Sequence, residues 1–78
     1  MLERNYIIYL PNGKNLSLDI APEKSIRALK HTLEDILFIP AKQQRLVVED
    51  QELDNDDEII DEVMQNRYVI HLLLDIHG

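Results

Sequence analysis

Two alternating apolar runs on either side of Asn12-Gly13 constrain this chain more than anything else in it. The run "NYIIYL" sets Tyr6, Ile8 and Leu10 against Ile7 and Tyr9, and "NLSLDI" sets Leu16, Leu18 and Ile20 against Ser17 and Asp19. A period of two marks extended strands, and an Asn-Gly pair between two of them marks a hairpin. A type I turn with Gly13 at φ > 0 in a bulge is expected, since glycine lacks the Cβ that makes that conformation costly.

The period then changes. Pro22 ends the second strand, Ser25 suits a helix N-cap, and Ile26, Leu29, Leu33 and Leu37 recur at helical spacing with Arg27, Lys30, His31 and Glu34 between them. Pro40 stops the helix or the turn that follows it. "RLVV" reads as a short strand and "RYVIHLLLD" as a long closing one, with short elements around Leu53, Ile59 and Met64 between them. Hairpin, helix, strand, short pieces and strand make an α+β plan, a small mixed sheet wrapped on one helix. The last strand can lie parallel to the first because a long connection separates them.

At 78 residues the chain is one domain, of a size that buries only about 60% of its unfolded surface. It has no cysteine, which removes disulfides, thiolate nucleophiles and cysteine metal sites together. No apolar run approaches the ~20 residues that span a bilayer, and Met1-Leu2-Glu3-Arg4 does not open a signal peptide. A soluble, cytoplasmic protein, or a nuclear one if the source is eukaryotic, with no membrane partner is expected. A formal charge of −7 with only eight Lys and Arg argues against nucleic acid, which demands a basic stripe, and favours basic partners.

Over residues 5–78 the chain resembles ubiquitin in one register with no insertion or deletion. The resemblance rests on Gly13-Lys14 in the first turn, Pro22, Ile26, Ile39-Pro40, "QQRL" at residues 43–46, Leu53 and "IHLLL" at residues 70–74. It implies the β-grasp fold: an N-terminal extension (1–4), a ubiquitin-like domain (5–74) and a flexible tail (75–78). Positions buried in that family fall on Tyr6, Ile8, Leu16, Leu18, Ile20, Ile26, Leu29, Leu33, Leu46, Leu53, Ile59, Met64, Ile70 and Leu72, all apolar or aromatic.

Function has to come from sites rather than from the fold. The first site is the tail. The resemblance implies that Gly78 is adenylated with ATP by an activating enzyme, passed as a thioester to enzyme cysteines and joined to a target lysine. Glycine suits that chemistry because no Cβ obstructs attack at the acyl carbon. Leu74 and Ile76 match the family's apolar tail positions, and Gly78 its first glycine. The second glycine is missing, and Asp75 and His77 stand where the family is basic. A reversed charge in a recognition site costs several kcal/mol, so a dedicated activating enzyme is expected rather than the standard one.

The second site is an apolar patch of Val47, His71 and Leu73, flanked by Arg45, with Pro11 in the neighbouring hairpin. By alternation His71 and Leu73 point away from Ile70 and Leu72, and an apolar patch with a polar rim usually marks an interface. Helical ubiquitin-binding elements would suit it. The third is "ILFIP" at residues 36–40. The family closes its helix there with a charged turn and a glycine. A phenylalanine at φ > 0 is unfavourable, so the helix is expected to end differently, with an extra turn. Ile36 and Phe38 are then either packed locally, the favoured expectation, or a second interface or self-association face.

Weaker signals give less. Nine acids lie in residues 49–62, read as a solvated acidic edge that steers basic partners. Asp50, Glu52 and Asp54 imitate the start of a calcium loop, but Asn55 stands where its sharp turn needs glycine, so no metal is expected. His31, His71 and His77 lie in different elements, and no catalytic constellation or cofactor motif appears; the protein is read as a monomeric substrate or ligand of enzymes and not as an enzyme. Of the lysines that ubiquitin uses for chains, the resemblance keeps Lys14 and Lys30, while Gln51 and Asn66 replace two others. Three functions remain: a modifier attached through Gly78, with activating and conjugating enzymes and target proteins as partners; a ubiquitin-like domain of a larger scaffold, shuttle or deubiquitinase; and a β-grasp sulfur carrier, against which the gapless register and "QQRL" count.

Overall fold

A computed structural model describes residues 2–75. The hairpin opens it: β1 (Arg4–Tyr9) pairs antiparallel with β2 (Asn15–Ile20) from Arg4↔Ile20 to Tyr9↔Asn15. Its turn is the expected one. The Gly13 N–H donates to the Leu10 carbonyl at 3.1 Å, Leu10 N–H donates to Lys14 O at 2.8 Å, and Gly13 sits at φ +86°. Asn12 Oδ1 accepts from the Lys14 N–H at 2.9 Å, fixing the turn from the side-chain direction as well. Because Arg4 pairs with Ile20, the sheet begins one residue inside the expected N-terminal extension.

The main helix, α1 (Ile26–Leu37), starts where Ser25 Oγ accepts the Ala28 N–H at 3.1 Å. It buries Ile26, Leu29 and Leu33, one stripe at 3.6-residue spacing, against the sheet. A 3₁₀ turn (Ala41–Gln43) leads into β3 (Gln44–Val48), a two-residue β4 (Gln51–Glu52), the short helix α2 (Ile60–Met64) and β5 (Val69–Leu74). Strand order is β2-β1-β5-β3-β4. The last strand therefore sits in the middle, parallel to β1 (Ile8↔Ile70) and antiparallel to β3 (Leu46↔Leu72).

The core is the one expected with three changes. Tyr6, Ile8, Leu18, Ile20, Ile26, Leu29, Leu33, Leu46, Leu53, Met64, Ile70 and Leu72 are buried. Leu16 is only partly buried, since it lies near the hairpin tip. Val48 joins the core as the inward end of β3. Ile60, not Ile59, supplies the isoleucine at the start of α2. The backbone decides that last choice: Ile59 is extended (φ −87°, ψ 136°) and bridges Ser25, so the first helical residue turns inward in its place. Among the described residues Gln44 is the buried polar side chain, its Nε2 donating to Lys30 O and Ile39 O at 2.9 and 3.0 Å. It ties the middle of α1 and the segment after the helix to the start of β3.

Phe38 corrects the expected helix ending. It adopts the left-handed conformation (φ 60°, ψ 30°) that was expected to be avoided, and its N–H closes the helix on Glu34 O at 2.8 Å. Nor is it packed: Phe38 is 88% exposed and Ile36 42%, while Leu37 between them turns onto the core.

Candidate functional site

Alternation along β5 puts Ile70 and Leu72 inside and His71 and Leu73 outside. Register does the rest. Val47 lies opposite His71 and Arg45 opposite Leu73 on β3, while Tyr9 lies beside His71 on β1. Two strands, β3 and β5, thus bring Val47, His71 and Leu73 onto one outer face, with Leu73 44% exposed, His71 exposed and Val47 half-buried. Tyr9 completes that face. Its ring stacks on His71 with centroids 5.2 Å apart and planes 18° off parallel, leaving Tyr9 39% exposed. Sequence reasoning left Tyr9 out of the patch, although its outward place in β1 and the parallel pairing of first and last strands together pointed to it.

The rim is charged and internally matched. Arg45 Nη2 donates to Glu52 Oε1 at 2.8 Å, and Glu52 lies on β4 opposite Val47. This hydrogen bond holds the Glu52 carboxyl below its ordinary value and the Arg45 guanidinium above its own, with the Asp75 charge adding to the second effect. Asp75 is tied to the sheet, its N–H donating to Gln43 O at 2.7 Å, so the first residue of the expected tail is anchored. Leu74 is exposed at the end of β5. Ile76, His77 and Gly78 lie outside the described residues.

Pro11 lies in the neighbouring hairpin. It is exposed on the hairpin turn and lines a groove with Leu10, Leu37, Ile39 and Leu74 that contains neither Val47 nor His71. Of the two lysines, Lys14 is exposed, whereas the Lys30 side chain is only 12% exposed and its Nζ bonds Asp56 Oδ1 at 2.9 Å. That geometry leaves Lys14 as the accessible amine of the pair. The acidic stretch is not simply solvated. Five of its carboxylates hold cations from other parts of the fold: Asp61–Arg4, Asp57–Arg27, Asp56–Lys30, Glu52–Arg45 and Glu49–Arg67, all at 2.6–2.9 Å. Solvent screens the more exposed of these pairs, whereas the Lys30 ammonium is largely enclosed. Among the described residues no group of three or more His, Asp or Glu is placed to hold a metal, and no helix is long and apolar enough to cross a membrane.

Comparison with known proteins agrees with this architecture. The model of the ubiquitin family matches residues 7–76. The ubiquitin-like protein NEDD8 of Dictyostelium discoideum is 30% identical over 66 residues, covering 85% of this chain and 86% of that protein. Ubiquitin-like protein 1 of Schizosaccharomyces pombe is also 30% identical over 66 residues, with 85% of each chain covered. The solution structure of a ubiquitin-like domain from an Arabidopsis thaliana protein superposes with a TM-score of 0.87 at 17% identity, over 99% of this chain and 82% of that one, a likeness of fold. Hairpin, central last strand, single main helix and sequence together lead to one conclusion: this chain belongs to the ubiquitin family.

Proposed function

We propose that this ubiquitin-like protein is a modifier, joined to target lysines through Gly78 by a dedicated ATP-dependent activating enzyme, and read by other proteins through its outer sheet face. One observation carries the reading: β5 holds His71 and Leu73 beside Val47 on that face and leads, four residues after Leu74, to a glycine. On this reading the recognised strand lies, in sequence, just before the glycine that reacts.

Recognition on the face is helix-like in its demands. Val47, Leu73 and the stacked Tyr9–His71 pair offer an apolar strip with the Arg45–Glu52 pair at its rim, which an amphipathic helix can cover with its apolar stripe. Val47→Asp places a charge in the middle of that strip. It is expected to weaken binding of a helical ubiquitin-binding peptide by more than about tenfold while leaving the unfolding midpoint near the parent value; unchanged affinity overturns the patch. The covalent half is read by mass spectrometry. Trypsin cuts after Arg67, so attached protein leaves residues 68–78 as a branch on target lysines, and native material with none, in the presence of the activating enzyme, argues against conjugation.

A second reading is favoured by one residue. Asp75 carries a negative charge where the family's conjugated tails are basic, which suits a ubiquitin-like domain that acts by docking alone within a larger protein. Loss of the branched peptides together with retention of Val47-dependent binding selects this second reading.

A further inference from the structure

The exchange of Ile59 for Ile60 in the core has a consequence on the surface. Ile59, displaced outward, forms with Pro22 the apolar floor of a groove of about 740 Å³ that Leu2 walls on one side. Backbone bonds hold the floor in shape. Asp61 N–H donates to Pro22 O and Ile60 N–H to Lys24 O, both at 2.9 Å, and Ser25 and Ile59 form a bridge. Arg4 closes the β1 side by its 2.7 Å bond to Asp61. A groove whose walls are already tied together loses little freedom when something settles into it.

Its rim is net negative. Glu3, Glu23 and Glu62 line the groove, are exposed, and have no ion-pair partner among the described residues. Arg4, the cation that lines it, is already committed to Asp61. Three uncompensated carboxylates therefore surround an aliphatic floor. A second copy of this chain is a poor occupant: it carries −7 overall, and most of its cations are held in ion pairs. Like charge on both partners opposes approach.

We propose that this groove is a docking site for a basic peptide segment of a partner protein, one that presents an aliphatic side chain flanked by lysine or arginine. The aliphatic group lies on Pro22 and Ile59; the flanking cations meet Glu3, Glu23 and Glu62. None of the patch residues Val47, His71 and Leu73 lines the groove, so the two surfaces can be engaged independently.

The test is a titration of the isotope-labelled full chain, followed by amide resonances, with the blocked peptide acetyl-Lys-Arg-Leu-Lys-amide at low ionic strength. Saturable shifts are expected at residues 2–4, at Glu23 and at residues 59–62. The double variant Glu23→Lys with Glu62→Lys is expected to bind about tenfold more weakly, and Glu23→Ala with Glu62→Ala to fall between, since both residues are exposed and unpaired and their loss leaves the core intact. The serine analogue acetyl-Lys-Arg-Ser-Lys-amide is expected to bind several-fold more weakly than the leucine peptide, and Val47→Asp to bind as the parent does. Shifts spread along residues 49–54 with equal affinity for both peptides reveal general attraction to an acidic protein and overturn the site. Unchanged affinity in the double variants, absence of saturation, or self-association through residues 59–62 overturns it as well.

Discussion

Phe38 is held where glycine would be at ease. A left-handed residue with a side chain costs about 1–2 kcal/mol because its Cβ crowds the neighbouring carbonyl, and Phe38 recovers little of that by burial, being 88% exposed. Phe38→Gly is therefore expected to stabilise the protein by about 1 kcal/mol after allowing for the extra freedom glycine gives the unfolded chain. A rise in the urea midpoint at constant m-value is the readout; a fall would mean that the ring makes stabilising contacts at the helix end. Glu52 makes a second residue-scale case. Its folded carboxyl titrates below the ordinary 4.5 because Arg45 hydrogen-bonds the charged form. The pair's contribution is present above the unfolded value and is lost as pH falls through the folded one. Acid unfolding of Glu52→Gln should accordingly show a shallower loss of stability below about pH 4.5 than the parent, compared by urea unfolding at a series of pH values.

At the scale of elements, α2 shows where local pattern stops being decisive. Ile59 and Ile60 are adjacent, equally apolar and flanked by acids, so hydrophobicity cannot choose between them; the extended backbone at Ile59 and its bridge to Ser25 do. Ile60→Ala should cost about 2–5 kcal/mol, and Ile59→Ala under about 1 kcal/mol, which paired denaturation curves will separate. Other elements were legible. Ser25 caps α1, Gly13 closes the hairpin and Pro22 ends β2 as the residues demand, because each is a matter of a few neighbouring dihedrals and one hydrogen bond. The patch was legible in part: alternation gave the outward faces of His71 and Leu73, and the family resemblance gave Val47. Tyr9 and Glu52 were missed, since each joins through a register between strands, while Pro11 sits in the neighbouring hairpin, as expected, beside a groove of its own.

For the whole molecule the arrangement hangs on β5. It is the central strand, and it brings Ile70 and Leu72, both essentially fully buried, against β1, β3 and α1. Those two side chains alone represent about 3–6 kcal/mol of transfer free energy, set against a total stability of roughly 5–15 kcal/mol for a domain. A chain ended after Tyr68 loses them and leaves β1 and β3 with open edges; it is expected to show no cooperative thermal transition by circular dichroism. The acidic stretch also works at this scale, since five of its carboxylates reach cations on β1, α1, β3 and the segment before β5.

The sequence by itself determined the hairpin, the capped amphipathic helix and nearly all of the core, because strand and helix periods and caps are properties of adjacent residues. The tertiary structure alone decided the left-handed Phe38, the inward turn of Ile60, the Tyr9–His71 stack and the pairing of acids with distant cations. Each of these depends on which backbone lies opposite, and that is fixed only when strands far apart in the chain settle into register around one helix.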